Sequence, residues 1–348
     1  MIDSLGMSDA ALRLPDQMAA ALNGTLSAGI DILPHISGIS NVCVAGMGGS
    51  GMAGDLLGSL VADECPVPVS VIKSYRLPRY VDEHTFLMVV SFSGNTEETL
   101  EVMHAGREAG ARMLAVSTGG MVSKLALQWG VPWVEVDSGI PQPRAAIGAL
   151  SVPLVVARER IGIFQGAVDK LRDAIAHLER RREQFLSDPA PVEVIAGKLL
   201  GHIPLIWGSD GLASVAAVRL RSQLNENAKA MAISSVVPEL CHNELAGWGQ
   251  LGDITRQLVT VVALRHAGEH EQVKRRFEFL MDVVSESVSD MVELWAEGDT
   301  DMSRLFDLIF TGDMVSLAVA RLEQIDPGPV PILDQMKAFL QAPLSRPS

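Results

Sequence analysis

The chain has 348 residues, a formal net charge of −14 and three cysteines, with no apolar run near the ~20 residues that cross a bilayer. That length suits two domains of ordinary size, and the acidity leaves no basic stripe to track nucleic-acid phosphates. Cys43, Cys65 and Cys241 are too scattered for a disulfide framework, and neither a structural nor a catalytic zinc is expected. The start, "MIDSLGMSDAALRLPDQM", lacks the basic end and apolar centre of a signal peptide, so the expectation is a soluble, cytoplasmic protein without a membrane partner.

An amphipathic helix is predicted from about Pro15 to Leu33. Five strand-like runs follow: "NVCVAGM", "VPVSVIK", "TFLMVVSFS", "ARMLAVST" and "VPWVEVD". Helices are expected between them from about Gly51, from Thr96 to Gly110 and near Ser123. Short Val-rich runs that end in Gly, Ser or Thr suit buried parallel strands joined by crossover helices. After "PQPRAAIGAL" a helical zone runs to about Phe185, and the turn signals of Leu186 to Glu193 mark a boundary between domains 1–185 and 186–348. A second alternation follows: "HIPLIWGSDGLASVAAVRLRSQL", "AMAISSVVPEL" and "RQLVTVVALRHAGEHEQVKRRFEFLMDVV". Helical "MSRLFDLIFTGDMVSLAVARLEQ", the turn "DPGPVP" and the helix "ILDQMKAFL" close the chain.

The fold class expected is α/β, with two doubly wound domains, each a parallel sheet of about five strands flanked by helices. The halves read as a diverged duplication, with Val42 to Leu60 matching Ile203 to Leu224 and Phe86 to Gly110 matching Leu258 to Val284. Their loops differ: "SFSGNTEET" in the first half stands where the second has "LRHAGEHEQ". One ligand site per chain, in the first domain, is therefore expected.

"SFSGNTEET" (Ser91 to Thr99) follows a strand and opens a helix. Ser91, Ser93 and Thr96 offer hydroxyls, Gly94 allows close backbone approach, and a helix N-terminus supplies free N–H groups. A helix cap needs one hydroxyl; three around a glycine suit a phosphate monoester. The upstream "VCVAGMGGSGMAGD" has Gly46, Gly48 and Gly51 at dinucleotide spacing. A dinucleotide site also needs an acidic residue at the end of the second strand. Here that strand ends in Lys73 and Ser74, while Asp63 and Glu64 precede it. No nicotinamide cofactor is expected, and a compact sugar phosphate suits the two loops better.

Three later stretches carry ionisable candidates. Arg144 in "PQPRAAIG" follows the last strand of the first domain, where parallel strands gather ligands. Glu226 in "NENAK" closes a helix, and His242 in "PELCHNELAGW" lies in a turn. Singly these are a surface charge, a solvated helix end and a structural histidine. Together, a Glu and a His on successive loops are the groups that proton transfer at carbon requires.

"GMGGSGMAGD", "SFSGNTEET", "PRAA", "NENAK" and "HNE", in this order and spacing, resemble the bifunctional phosphoglucose/phosphomannose isomerases of the sugar-isomerase (SIS) domain superfamily. Both ends of the chain share the likeness. The resemblance implies two SIS domains, a homodimer, and interconversion of glucose 6-phosphate or mannose 6-phosphate with fructose 6-phosphate without metal or cofactor. It implies phosphate on Ser91, Ser93 and Thr96, with Gly48, Gly49 and Ser50 around the sugar. Glu226 matches the base, His242 the ring-opening histidine that reaches across from the partner subunit, Arg144 the arginine that stabilises the intermediate, and Lys337 a C-terminal active-site lysine. The alternative is a non-catalytic phosphosugar sensor, which would have no use for Glu226 and His242.

Overall fold

The computed structural model describes residues 2–163 and 165–341. Two short helices, α1 (Met7–Leu12) and α2 (Leu14–Ser27), precede the first sheet. α2 stops before Leu33, and two single-turn helices, Ile30–Ile32 and Ile36–Gly38, carry the chain onward. The sheet comprises β1 (Asn41–Ala45), β2 (Val69–Ile72), β3 (Thr85–Val90), β4 (Arg112–Ser117) and β5 (Trp133–Glu135). Its order is β2-β1-β3-β4-β5, all parallel. α3 (Gly48–Val61), α4 (Glu97–Glu108) and α5 (Gly120–Trp129) form the crossovers. β1 and β3 are buried along their whole length, as strands covered on both faces must be.

The helical zone that follows is two helices, α6 (Ile147–Ile161) and α7 (Ala167–Ser187). α8 (Ala190–Leu199) begins after the break at Asp188 and Pro189. The second sheet holds β6 (Ile203–Ser209), β7 (Ile233–Val237), β8 (Val259–Arg265) and β9 (Asp290–Trp295), with α9 (Leu212–Asn227), α10 (Gly252–Leu258) and α11 (Glu271–Val284) between strands. Its order, β7-β6-β8-β9, is again all parallel and repeats the first four positions of the first sheet. Among the described residues it has four strands, not five. β9 reads "DMVELW" and does not announce itself in the sequence. It is a half-covered edge strand that mixes Asp290 and Glu293 with apolar residues, whereas the central strands are continuous apolar runs.

α12 (Asp301–Leu322), buried over most of its length, packs against α7, α8 and α9. One apolar core runs through both halves, from Leu14 and Met18 on α2 to Phe306 and Phe310 on α12. The last helix, α13 (Pro331–Gln341), is exposed throughout residues 331–340.

Candidate active site

The first sheet's topology places two loops side by side. β1 and β3 are neighbours in register, Ala45 against Val89, so the loops that leave them emerge together at their C-terminal ends. This is where the strand order reverses, the usual ligand crevice of an open parallel sheet.

The loop after β3 is built as a hydroxyl cradle. Ser91 is buried, and its Oγ lies 2.9 Å from Thr96 Oγ1. Thr96 is the N-cap of α4 in extended conformation, yet its side chain makes no capping hydrogen bond. Its hydroxyl is therefore turned toward Ser91, which a simple cap does not explain. Ser93 is exposed, and its Oγ accepts the Asn95 N–H at 3.2 Å. Gly94 is required twice over: its φ is +67°, and a Cβ there would sit 1.9 Å from the Gly119 carbonyl oxygen.

The glycine loop after β1 is tied to this cradle. Ser50 is buried and its Oγ accepts the Phe92 N–H at 3.1 Å. Gly49 lets the first turn of α3 lie against the "PRAA" segment, since a Cβ there would come within 2.8 Å of the Pro143 carbonyl oxygen. Gly48 is exposed, with nothing within 4 Å of a Cβ position, and faces open space. Lys73, just past β2, pairs with Asp55 of α3. A cation thus stands where a dinucleotide's ribose would need a carboxylate.

Arg144 sits in a single-turn helix, Pro143–Ala145, and is only 5% exposed. Its Nε donates to Asn227 Oδ1 at 2.8 Å and its Nη1 to Glu226 Oε2 at 3.4 Å. Its Nη2 donates to the carbonyls of Pro327 and Gly328 at 2.6 and 2.7 Å. One guanidinium thus gathers the "PRAA" turn, the "NENAK" end of α9 and the "DPGP" turn after α12. Burial, reinforced by the nearby Arg219, holds its pKa below the usual arginine value, against the pull of Glu226. It remains a cation at neutral pH.

A second tier fixes this junction. Arg219 forms a buried two-point pair with Asp313, at 2.9 and 2.5 Å, and also donates to the Arg144 carbonyl at 2.9 Å. Asn227 Nδ2 donates to Ser316 Oγ at 3.0 Å, and that hydroxyl donates to the Asp313 carbonyl at 2.7 Å. Lys229 Nζ donates to the carbonyls of Asp326 (2.7 Å), Glu226 (3.0 Å) and Asn227 (3.4 Å). Burial, with Arg144 close by, lowers the Lys229 pKa. The sequence reading missed Asn227, Lys229, Arg219 and Asp313; the first two stand inside the "NENAK" motif and could have been taken with Glu226.

Glu226 and Arg144 are brought together, whereas His242 and Lys337 are not brought to them within this chain. His242 is exposed, in the single-turn helix Glu239–His242 that follows β7. Glu226 precedes β7 and His242 follows it, and the five residues of that strand alone rise by about 16 Å. Lys337 lies on exposed α13, its ammonium 3.7 Å from Asp334. Among the described residues, no three His, Cys, Asp or Glu side chains converge as a metal site.

Residues 189–340 match the model of the bacterial phospho-glucose isomerase C-terminal SIS domain. The chain is 33% identical over 335 residues to a bifunctional phosphoglucose/phosphomannose isomerase of Caldicellulosiruptor bescii, covering 95% of this chain and 98% of that one. It is 32% identical over 300 residues to the protein of the same description from Thermoplasma acidophilum, covering 86% and 89%. In fold it is similar to the C-terminal domain of glucosamine-fructose-6-phosphate aminotransferase from Francisella tularensis, with a TM-score of 0.71 at 15% identity over 93% of this chain and 97% of that one. Likeness at this identity over nearly the whole of both chains carries the assignment. The chain belongs to the bifunctional phosphoglucose/phosphomannose isomerases and is a sugar-phosphate isomerase.

Proposed function

We propose that the chain interconverts glucose 6-phosphate, and mannose 6-phosphate likewise, with fructose 6-phosphate through a cis-enediolate. The single observation that carries this reading is the 3.4 Å contact between Arg144 and Glu226 at the seam of the two halves, next to the Gly49–Ser50 turn that is hydrogen-bonded to the loop carrying Ser91, Ser93 and Thr96. The phosphate group binds that hydroxyl loop and the N-terminus of α4, remote from the reacting carbons, and its binding energy positions the sugar. Gly48, Gly49 and Ser50 close around the sugar ring.

After ring opening, Glu226 removes the proton on the carbon beside the carbonyl and returns it to the neighbouring carbon. One carboxylate serves both, because the two carbons are adjacent on one face of a planar enediolate. Arg144 stabilises the oxygen on which negative charge develops. His242 moves the ring-oxygen proton. Aldose and ketose are isomers, so no net oxidation occurs and none of these steps draws on a redox cofactor.

In this reading the chain works as a homodimer in which His242 enters the site of a second copy, and the separation of His242 from Glu226 within one chain supports that arrangement. Lys337, on exposed α13, serves in this reading as the C-terminal active-site lysine. Residues 1–185 bind the phosphate and residues 186–348 supply Glu226 and His242. The contact between Glu226 and Arg144 favours catalysis over a sensor, which needs no such pair. The test is a coupled assay of purified protein with glucose 6-phosphate and mannose 6-phosphate side by side. Turnover of both is expected; binding of fructose 6-phosphate without turnover of either sugar would establish the sensor instead.

A further inference from the structure

The two sheets share their first four positions, and this sets residue against residue in the loops of the two halves. Ala45 pairs with Val89 in the first sheet, and Trp207 with Ala263 in the second. One residue further on, a Cβ added at Gly46 or Gly208 would come within 2.9 or 2.3 Å of the backbone of the helix that follows. These glycines are equivalents, and Val90 corresponds to Leu264. Counting on, Ser91 corresponds to Arg265, Gly94 to Gly268, Asn95 to Glu269 and Thr96 to His270. The count is checked by the helix starts, since Thr96 is the N-cap of α4 and His270 the N-cap of α11.

The same position does opposite things in the two loops. Asn95 is exposed and turned aside: its amide donates to the Ser93 carbonyl at 3.1 Å and accepts the Met121 N–H at 3.0 Å. Glu269 turns back over its loop. Its carboxylate accepts the His266 backbone N–H at 3.1 Å, Arg265 Nε at 3.0 Å on each oxygen, and Arg265 Nη2 at 2.8 Å. The Glu269 side chain has no exposed surface, and that of Arg265 is 5% exposed. The guanidinium lies 4.1 Å from the Phe277 ring centroid and 4.6 Å from that of Trp295, and its Nη1 also bonds Glu293 at 2.5 Å.

A carboxylate gripped by a planar guanidinium and a backbone N–H just beyond a parallel strand is held as such loops hold an external oxyanion. We infer that the second half retains an oxyanion site equivalent to the first, and that the chain keeps it filled with its own Glu269 carboxylate. The ligand it takes once vacated is a small oxyanion of carboxylate size. This accounts physically for one sugar-phosphate site per chain; the equivalence rests on the phosphate reading of the first loop, while the grip on Glu269 is a property of the second half by itself.

The test is Glu269→Ala in the full chain, with formate as the probe and chloride holding ionic strength constant. The unfolding midpoint of the variant should rise by about 3 °C or more between zero and 100 mM formate, because the ion binds only the folded state. Wild type and Glu269→Gln, in which the space stays filled, should not respond. If Glu269→Ala does not fold in chloride, refolding with formate should restore soluble protein with native circular dichroism. A folded Glu269→Ala that ignores formate, an equal response in Glu269→Gln, or no recovery in formate overturns the inference. Sugar-phosphate turnover is not the readout, so either result leaves the isomerase reading to its own assay.

Discussion

Arg144 Nη1 lies 3.4 Å from Glu226 Oε2, joining a turn of the first half to the last turn of a helix in the second. Arg144 is buried while a third of the Glu226 side chain remains exposed, so the carboxylate can reach a substrate against a fixed cation. Loss of the carboxylate should therefore stop the chemistry and spare binding. Glu226→Gln is expected to lower kcat by about 10³-fold or more, with KM for fructose 6-phosphate within about threefold of wild type. A kcat near wild type would remove Glu226 from the role of base.

Arg144 should not tolerate a conservative replacement. Four acceptors on two segments share its planar fork, and an ammonium on a flexible stem cannot reproduce those directions. Arg144→Lys is expected to cut kcat/KM by about 10²-fold or more, the size of effect seen when one oxyanion-stabilising donor is lost. Steady-state kinetics alongside circular dichroism checks this, the fold remaining native.

The tier behind Arg144 divides into a part for stability and a part for position. Removing either member of the buried Arg219–Asp313 pair, as in Asp313→Ala, is expected to cost about 3–5 kcal/mol, because a charge is left uncompensated. Ser316→Ala leaves Asn227 Nδ2 without its acceptor, a cost of about 1–3 kcal/mol. Its larger effect should fall on kcat rather than KM, since Asn227 also accepts from Arg144. Urea unfolding and kinetics on the same preparations separate the two.

The separation of Glu226 from His242 makes a mixing experiment decisive for whether two chains share the proposed site. The Glu226→Gln and His242→Asn proteins should each be inactive. Dissociated and reassociated in equal amounts, they should regain about a quarter of wild-type activity, because half the dimers are mixed and each mixed dimer holds one intact site. No recovery, once subunit exchange is shown by a mass tag, would place both groups in the same chain's site.

His266 supplies a pH dependence outside the active site. It is buried beside Glu269, Asp301, Arg304 and Arg265, and burial lowers its pKa below the ordinary value of 6.5 despite the two carboxylates. The unfolded chain then binds the proton first, so this contribution to stability is complete above about pH 6.5 and is lost as pH falls from there. The thermal midpoint should drop on acidification from pH 7 to 5.5, and less steeply in His266→Gln.

Much of this architecture was legible along the chain, because what fixes a strand or a phosphate loop is local. The Val-rich runs of β1, β3 and β8 and the hydroxyls around Gly94 are signals contained within ten residues. The missing acidic residue after β2 was equally plain, and Lys73 occupies that place. β9 escaped notice because an edge strand need not be apolar on both faces.

What the sequence by itself determined is which chemical groups are present and which loops present them. Only the tertiary structure decided that Arg144 would spend its guanidinium on partners 82 to 184 residues away, and that Lys229 would cap the same helix end. It also decided that His242 would stand at the far end of β7 from Glu226. Such placements follow from how two sheets and the helix α12 pack about one core, and no local pattern of residues encodes a direction across that core. "PRAA", "NENAK" and "DPGP" are three unremarkable turns until packing brings them to one guanidinium.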